Sequence, residues 1–329
     1  MKQITHLPRI ARIVAASVLT AATISATFAQ TVNKTEARNQ ETWREAISRT
    51  PTPAQGCFHA SYPSLTWAKV DCVTAPNIPY APRRGVIGET VGNGNDYAAE
   101  VTSGFINTTV GSFPGVETRT ETGLNGENDY SLQLNSNFMN TSACNGASDP
   151  AKCLDWEQFV YSSGYEVAFM QYWLIYWDTT CPSGWFTYTV SSDTFCYTNS
   201  NAVSVPQVEA IILLRTLKLS GSAVKAGLDT LVLAAEREAF STTGSDSVVD
   251  LATAWTESEF NVIGDGDGSE ATFSTPSFIK VKVAVSNRTT NVPTCAADSG
   301  TTGETNNLNL GSCSSTGGAV PYIEFTESN

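Results

Sequence analysis

From about residue 97 onward, apolar and polar positions alternate with a period of two, in short runs separated by Gly, Asn, Asp and Pro. That period marks strands with one buried face. The pattern predicts strands at Tyr97–Ser103, Val116–Glu121, Tyr130–Phe138, Trp156–Tyr161, Val167–Trp177, Trp185–Val190, Ile211–Leu219, Leu231–Phe240, Glu257–Ile263, Ala271–Phe273 and Phe278–Val285. So many short strands with no helical repeat between them predict an all-β sandwich or jelly roll. The stretch from 86 to 290 is long enough to bury one large core.

The ends of the chain follow a different pattern. Lys2, Arg9 and Arg12 precede the apolar run Ile13 to Phe28, and Thr27-Phe28-Ala29 offers a small-residue cleavage site. Residues 1–29 therefore read as a secretory signal peptide, too short and too interrupted for the roughly 20 apolar residues of a membrane span. Residues 30–85 read as a short helix, with Trp43, Ala46 and Ile47 as its apolar stripe, then a Pro-punctuated arm. This arm is either packed on the main domain or removed as a propeptide. Residues 291–329 form a Thr/Gly/Asn/Ser-rich tail that closes with an edge strand at Ala319–Phe325.

Composition narrows the function classes. The formal charge is −13, and removal of the signal leaves 16 basic against 32 acidic side chains. Such an acidic surface argues against nucleic acid and anionic membrane as partners. The eight cysteines, Cys57, Cys72, Cys144, Cys153, Cys181, Cys196, Cys295 and Cys313, all follow the signal. An even count in an exported chain predicts disulfides, and the short spacings favour pairing in sequence order, each bridge stabilising by roughly 3 kcal/mol. There is no CxxC, and His59 is the only histidine after the signal, so neither a metal site nor a His-based nucleophilic triad is expected. Any hydrolytic chemistry falls to carboxylates and amides, without cofactor, in a secreted monomer.

The segment from Trp156 to Tyr188 gathers four of the seven Trp around a few polar side chains. Alternation puts Trp156, Gln158 and Val160 on one face of their strand and Glu157, Phe159 and Tyr161 on the other. In the next strand Gln171 shares a face with Trp173 and Trp177, opposite Tyr172. A Gln among aromatics serves either to hold a reacting carbonyl or to hydrogen-bond a neighbouring strand. Glu259 alternates onto the same side as Glu257 and Asn261, and a carboxylate walled by aromatics acquires the raised pKa of a general base. The Gly264–Glu270 loop fails the EF-hand spacing and reads as a Gly/Asp turn.

Two segments resemble the glutamic peptidases (eqolisins), secreted acid endopeptidases with a concanavalin-like sandwich, and more distantly the neprosin-type peptidases. Gln158-Phe159-Val160, followed by the aromatic strand Phe169 to Trp177, is similar to that family's catalytic-Gln strand and its aromatic neighbour. Ser258-Glu259-Phe260-Asn261-Val262 is similar to its Ala-Glu-Trp-x-Val segment. Phe260 stands where the family has Trp, and the Phe169 to Trp177 strand lacks the expected acidic residue. The resemblance implies Glu259 as general base and Gln158 as oxyanion donor, with Trp156, Gln171, Tyr172, Trp173 and Trp177 lining the substrate cleft. Together with the alternation, it implies that the strands of Gln158 and Glu259 are neighbours in one sheet, with both side chains on its concave face. The neprosin-like pattern around Cys181 and Cys196 promotes Glu157 in place of Gln158. The implied partner is a polypeptide. The reading from another class is a carbohydrate-binding module or glycosidase, with Tyr172, Trp173 and Trp177 stacking on glycan rings.

Overall fold

The computed structural model describes residues 34–83, 88, 90–206 and 210–329, so the signal-peptide reading lies outside the described residues. The strands assemble into two sheets, one of thirteen strands and one of nine. The smaller sheet runs in the order Phe186–Val190, Asp193–Asn199, Val167–Ile175, Leu154–Ser162, Tyr130–Ser136, Glu257–Gly264, Ala98–Glu100 and Thr294–Ala296, with Val203–Ser204 beside Val167–Ile175. The larger is centred on Lys218–Ser222, Thr108–Glu117, Phe278–Ser286, Tyr322–Ser328 and Thr305–Thr316. This is an all-β sandwich, as the alternation predicts.

One face of each sheet closes on a shared core containing Phe113, Leu132, Leu134, Phe159, Met170, Tyr172, Leu219, Leu231, Phe260, Val281 and Val283. Two glycines set how closely the sheets approach. A Cβ on Gly111 would lie 2.2 Å from the Phe260 ring, and one on Gly221 would lie 2.6 Å from Phe159. The aromatic rings of the smaller sheet therefore rest on backbone where the larger sheet carries no side chain.

Residues 34–47 form the expected helix. Its Trp43 and Ile47 pack with Phe58, Trp67, Val232 and Ala234 on the outer side of the larger sheet. Lys218 binds Glu41 at 2.9 Å and Glu45 at 2.7 Å, anchoring the helix across that sheet. The four disulfides join the cysteines in sequence order, Cys57–Cys72, Cys144–Cys153, Cys181–Cys196 and Cys295–Cys313. Among the described residues, no helix is long and apolar enough to cross a membrane.

Several expected elements differ. Ile211–Leu219 is a 3₁₀ turn at Ile211–Thr216 followed by a strand at Lys218–Ser222. Its buried residues Ile211 and Leu214 are three apart, the spacing of a 3₁₀ face rather than of a strand. Leu231–Phe240 is instead a hairpin of Leu228–Ala235 and Glu238–Ser245. It turns through Glu236 at a φ of 47°, without the Gly or Asn that signals such turns. The closing strand, Tyr322–Ser328, is not at an edge, since it pairs with Phe278–Ser286 on one side and Thr305–Thr316 on the other. The Thr305–Thr316 strand had no apolar alternation to announce it. Its Asn- and Ser-rich backbone is held by partners on both sides, which overrides low strand propensity.

Candidate active site

The outer face of the smaller sheet carries a row of polar side chains. Directly opposed residues of antiparallel strands point to the same face. Asn199 opposes Gln171, Gln171 opposes Gln158, Gln158 opposes Asn135, and Asn135 opposes Glu259. Four amides and one carboxylate thus line up across five strands. Trp156, Trp173 and Tyr197 form a parallel aromatic row alongside, with Trp173 and Tyr197 stacked at 5.0 Å. The strands of Gln158 and Glu259 were expected to be adjacent. They are instead separated by Tyr130–Ser136, so two strand spacings, roughly 10 Å, lie between their backbones.

Hydrogen bonds fix each member of the row. Trp173 Nε1 donates to Gln158 Oε1 at 3.1 Å and to Gln171 Oε1 at 3.0 Å. Gln158 Nε2 donates to Gln133 Oε1 at 3.0 Å. The amide nitrogen of Gln158 therefore points toward Gln133 on the neighbouring Tyr130–Ser136 strand, with one of its two hydrogens committed.

Glu259 is held asymmetrically. Its Oε2 accepts from Thr301 N at 2.7 Å, Thr301 Oγ1 at 2.7 Å and Asn135 Nδ2 at 3.1 Å. Its Oε1 is buried with no hydrogen-bond partner among the described residues, as is Asn135 Oδ1. Burial raises the Glu259 pKa above its ordinary value, while the Thr301 and Asn135 hydrogen bonds and the charge of Arg83 pull it back. Asp96 lies beside it, both touching the space where a Gly300 Cβ would sit, at 3.1 Å each. Burial, then the charges of Glu259 and Glu327, push Asp96 well above the carboxylate range. The two neighbouring acids thus differ in environment: burial raises both, and the donors from Thr301 and Asn135 oppose that rise at Glu259.

The other expected site residues divide by face. Trp156, Gln158, Gln171, Trp173 and Glu259 share the outer face. Glu157 and Tyr172 point into the core between the sheets, where burial and Asp229 raise the Glu157 pKa well above its ordinary value. Glu157 is thus not in the row with Glu259. Trp177 lies past the strand end, packed among Cys144, Cys153, Leu174 and Cys196, and donates from Nε1 to Thr180 O at 3.0 Å.

The row is covered. Pro76 to Arg83 crosses it as an extended segment held through main-chain atoms. Asn199 Nδ2 donates to Pro76 O at 2.9 Å, Gln171 Nε2 donates to Ile78 O at 2.9 Å, and Tyr80 N donates to Gln171 Oε1 at 2.8 Å. Asp267 N donates to Pro79 O at 2.9 Å, Gly303 N to Ala81 O at 2.8 Å, and Arg83 N to Thr301 O at 2.8 Å. Ala81 packs against Trp156 and Trp173.

Sequence reasoning missed Gln133, Asn135, Asp96, Thr301, Glu304 and Asp265. The alternation in Ser131-Leu132-Gln133-Leu134-Asn135 carried the signal for two of them, a polar stripe opposite a leucine stripe. The others come from loops and from the tail, where no period exists.

No family model matches this chain, and no curated protein matches its sequence. Among solved structures, a scytalido-glutamic peptidase with a transition state analog inhibitor aligns at 11% identity over 72% of this chain and 98% of that chain, with a TM-score of 0.29. SCP-B, a member of the eqolisin family of peptidases in a complex with the tripeptide Ala-Ile-His, aligns over the same shares at 11% identity, with a TM-score of 0.28.

Proposed function

We propose that this protein is a secreted acid endopeptidase of glutamic type, latent while its N-terminal arm lies across the active site. The observation that carries the reading is the half-satisfied carboxylate of Glu259. Oε2 is fixed by three donors and Oε1 is left free, in the same row as an oriented Gln158 amide. Glu259 Oε1 takes a proton from a water that attacks the scissile carbonyl, and the uncommitted N–H of Gln158 donates to the oxyanion that forms; the protonated Glu259 then gives that proton to the leaving amine as the intermediate collapses and the C–N bond breaks. Burial and the neighbouring charges raise the Asp96 pKa, which favours an acid beside the base. The chemistry uses the chain's own carboxylates and amides.

The substrate class follows from how the groove grips the arm. Six main-chain atoms between Pro76 and Arg83 take part in hydrogen bonds to the body, which suits an extended polypeptide of varied sequence rather than a glycan. Latency follows from the covalent connections. Cys57–Cys72 lies wholly within residues 34–83, so the helix, the Cys57–Ser61 strand and the arm are held to the rest only by non-covalent contacts and the main chain. Loosening or removal of that unit opens the site.

The test uses the full chain and a Tyr80→Ala variant that weakens the arm, incubated with a denatured protein from pH 2 to 7. Tyr80→Ala should cleave at acidic pH, and Glu259→Gln introduced into it should abolish cleavage with the fold intact. Cleavage that survives Glu259→Gln, or no cleavage by either protein across the range, refutes the reading.

A further inference from the structure

Tyr80 of the arm occupies a socket built by the body of the protein. Its ring is fully buried against Phe169, with centroids 5.8 Å apart at 63°, and Val160, Val167 and Ala202 complete the wall. Its hydroxyl donates to Asp265 Oδ1 at 2.6 Å. The other oxygen of Asp265 accepts from Ser162 Oγ at 2.8 Å and Gly164 N at 3.0 Å, so the carboxylate is positioned independently of the arm. Gly266, at a φ of 82°, leaves room beside the ring, since a Cβ there would lie 2.6 Å from Ile78 and 3.4 Å from Tyr80 Cζ. Among the neighbouring arm residues, the Asn77 side chain accepts from Tyr197 Oη at 2.8 Å and the Arg83 side chain donates to Asp298 O at 2.9 Å, but neither is fully buried, and the remaining bonds run through the main chain. Tyr80 is the one whose side chain enters a fitted polar socket.

We infer that this socket is the specificity subsite of the groove and that it selects a tyrosine side chain in the polypeptide that replaces the arm. The inference rests on the peptidase reading. A phenylalanine fills the same apolar walls but leaves Asp265 Oδ1 buried without its donor, and that omission costs about 10- to 100-fold in binding. Aliphatic side chains lose the contact with Phe169 as well. The arm also sets the register of cleavage. The residue after the tyrosine lies on Trp156 and Trp173, and the next two pass Thr302 and Thr301, whose N–H and hydroxyl hold Glu259. Cleavage therefore falls within about three residues on the C-terminal side of the selected tyrosine, at the extended-chain rise of a strand.

The experiment compares three synthetic peptides that differ only in carrying Tyr, Phe or Leu at one position, with the full-length Tyr80→Ala variant. Cleavage efficiency is read by mass spectrometry. Affinity is read separately by calorimetry on the non-cleaving Tyr80→Ala/Glu259→Gln protein. The Tyr peptide should be cut and bound about 10- to 100-fold better than the Phe peptide, and Asp265→Ala should shrink the ratio to about threefold or less. Equal cleavage of all three peptides overturns the subsite and leaves the peptidase reading standing. Selective binding of the Tyr peptide without any cleavage upholds the subsite and overturns the peptidase reading. If Asp265→Ala fails to fold, the Tyr-to-Phe ratio in the unaltered socket decides the matter alone.

Discussion

Raising the pH from 4 to 8 should destabilise this protein steeply. Glu304 and Asp265 are buried carboxyl groups without a cationic partner among the described residues. Burial pushes Glu304 up to about 7 and Asp265 up to about 6, against hydrogen bonds that pull both down. In the unfolded chain both titrate near 4. Since the folded values are the higher ones, each group takes up a proton on folding. Its stabilisation is complete below about pH 4 and is lost as pH rises through 6 and 7. A tenfold difference in proton affinity between the folded and unfolded chain is worth about 1.4 kcal/mol, so each group contributes about 3 kcal/mol, together about 6 kcal/mol by pH 8. Against a net stability of about 5–15 kcal/mol, that is a large fraction. Burial also raises Glu327 to about 7 and Asp229 to about 8, adding to the effect in the same direction. Burial raises Glu41 less than its bonds to Lys218 and Arg44 lower it, so its contribution changes near or below pH 4.5, outside this window. Calorimetric unfolding at fixed ionic strength should show the melting temperature falling by about 10–20 °C from pH 4 to pH 8. Unfolding at pH 6 should release more than one proton per molecule, measured from the dependence of the unfolding heat on buffer ionisation enthalpy. Glu304→Gln with Asp265→Asn should flatten the curve. A melting temperature that holds or rises over this range would refute the argument.

Trp173→Phe keeps the aromatic row but removes the donor shared by Gln158 and Gln171. In the Tyr80→Ala background, peptidase turnover should fall about tenfold, mainly in kcat because Gln158 is no longer oriented, while stability drops by only about 1 kcal/mol in a denaturant titration. Opening Cys295–Cys313 with a pair of Ser substitutions should cost about 3 kcal/mol in the same titration. Because that 18-residue loop carries Thr301, Thr302 and Glu304, acid activity should fall further than the population of folded protein does.

The fold was legible where side chains alternate. Trp156-Glu157-Gln158-Phe159-Val160 specified both its strand and its two faces, because one side must meet Phe113 and Leu219 and the other the amide row. It failed where pairing rather than composition makes a strand, as at Thr305–Thr316. It also failed where a turn formed without Gly, as at Glu236. The partners of Glu259 were least legible of all. Thr301 and Asp96 lie 42 and 163 positions from it in sequence, at sites with no period; Thr301 reaches it because the tail folds back over the sheet, and Asp96 because the Ala98–Glu100 strand pairs with that of Glu259. The neighbour relation between Gln158 and Glu259 failed for a related reason. Alternation reports the face of a strand but not its rank in the sheet.

The row of buried side chains also explains why the arm and the proposed chemistry belong together. Amides and carboxylates buried on a sheet face are costly unless each donor and acceptor is paired. Along Asn199, Gln171, Gln158, Asn135 and Glu259 the pairing is nearly complete, and the arm backbone supplies part of it through Pro76, Ile78 and Tyr80. The exceptions in the row, among the described residues, are Glu259 Oε1 and Asn135 Oδ1, on opposed residues of neighbouring strands, and the second amide hydrogen of Gln158. A groove that needs an extended backbone to satisfy its amides is built to receive one. The unpaired oxygens mark the place where a water would be accepted and polarised, so the point at which hydrogen bonding falls short is the point where reaction is expected.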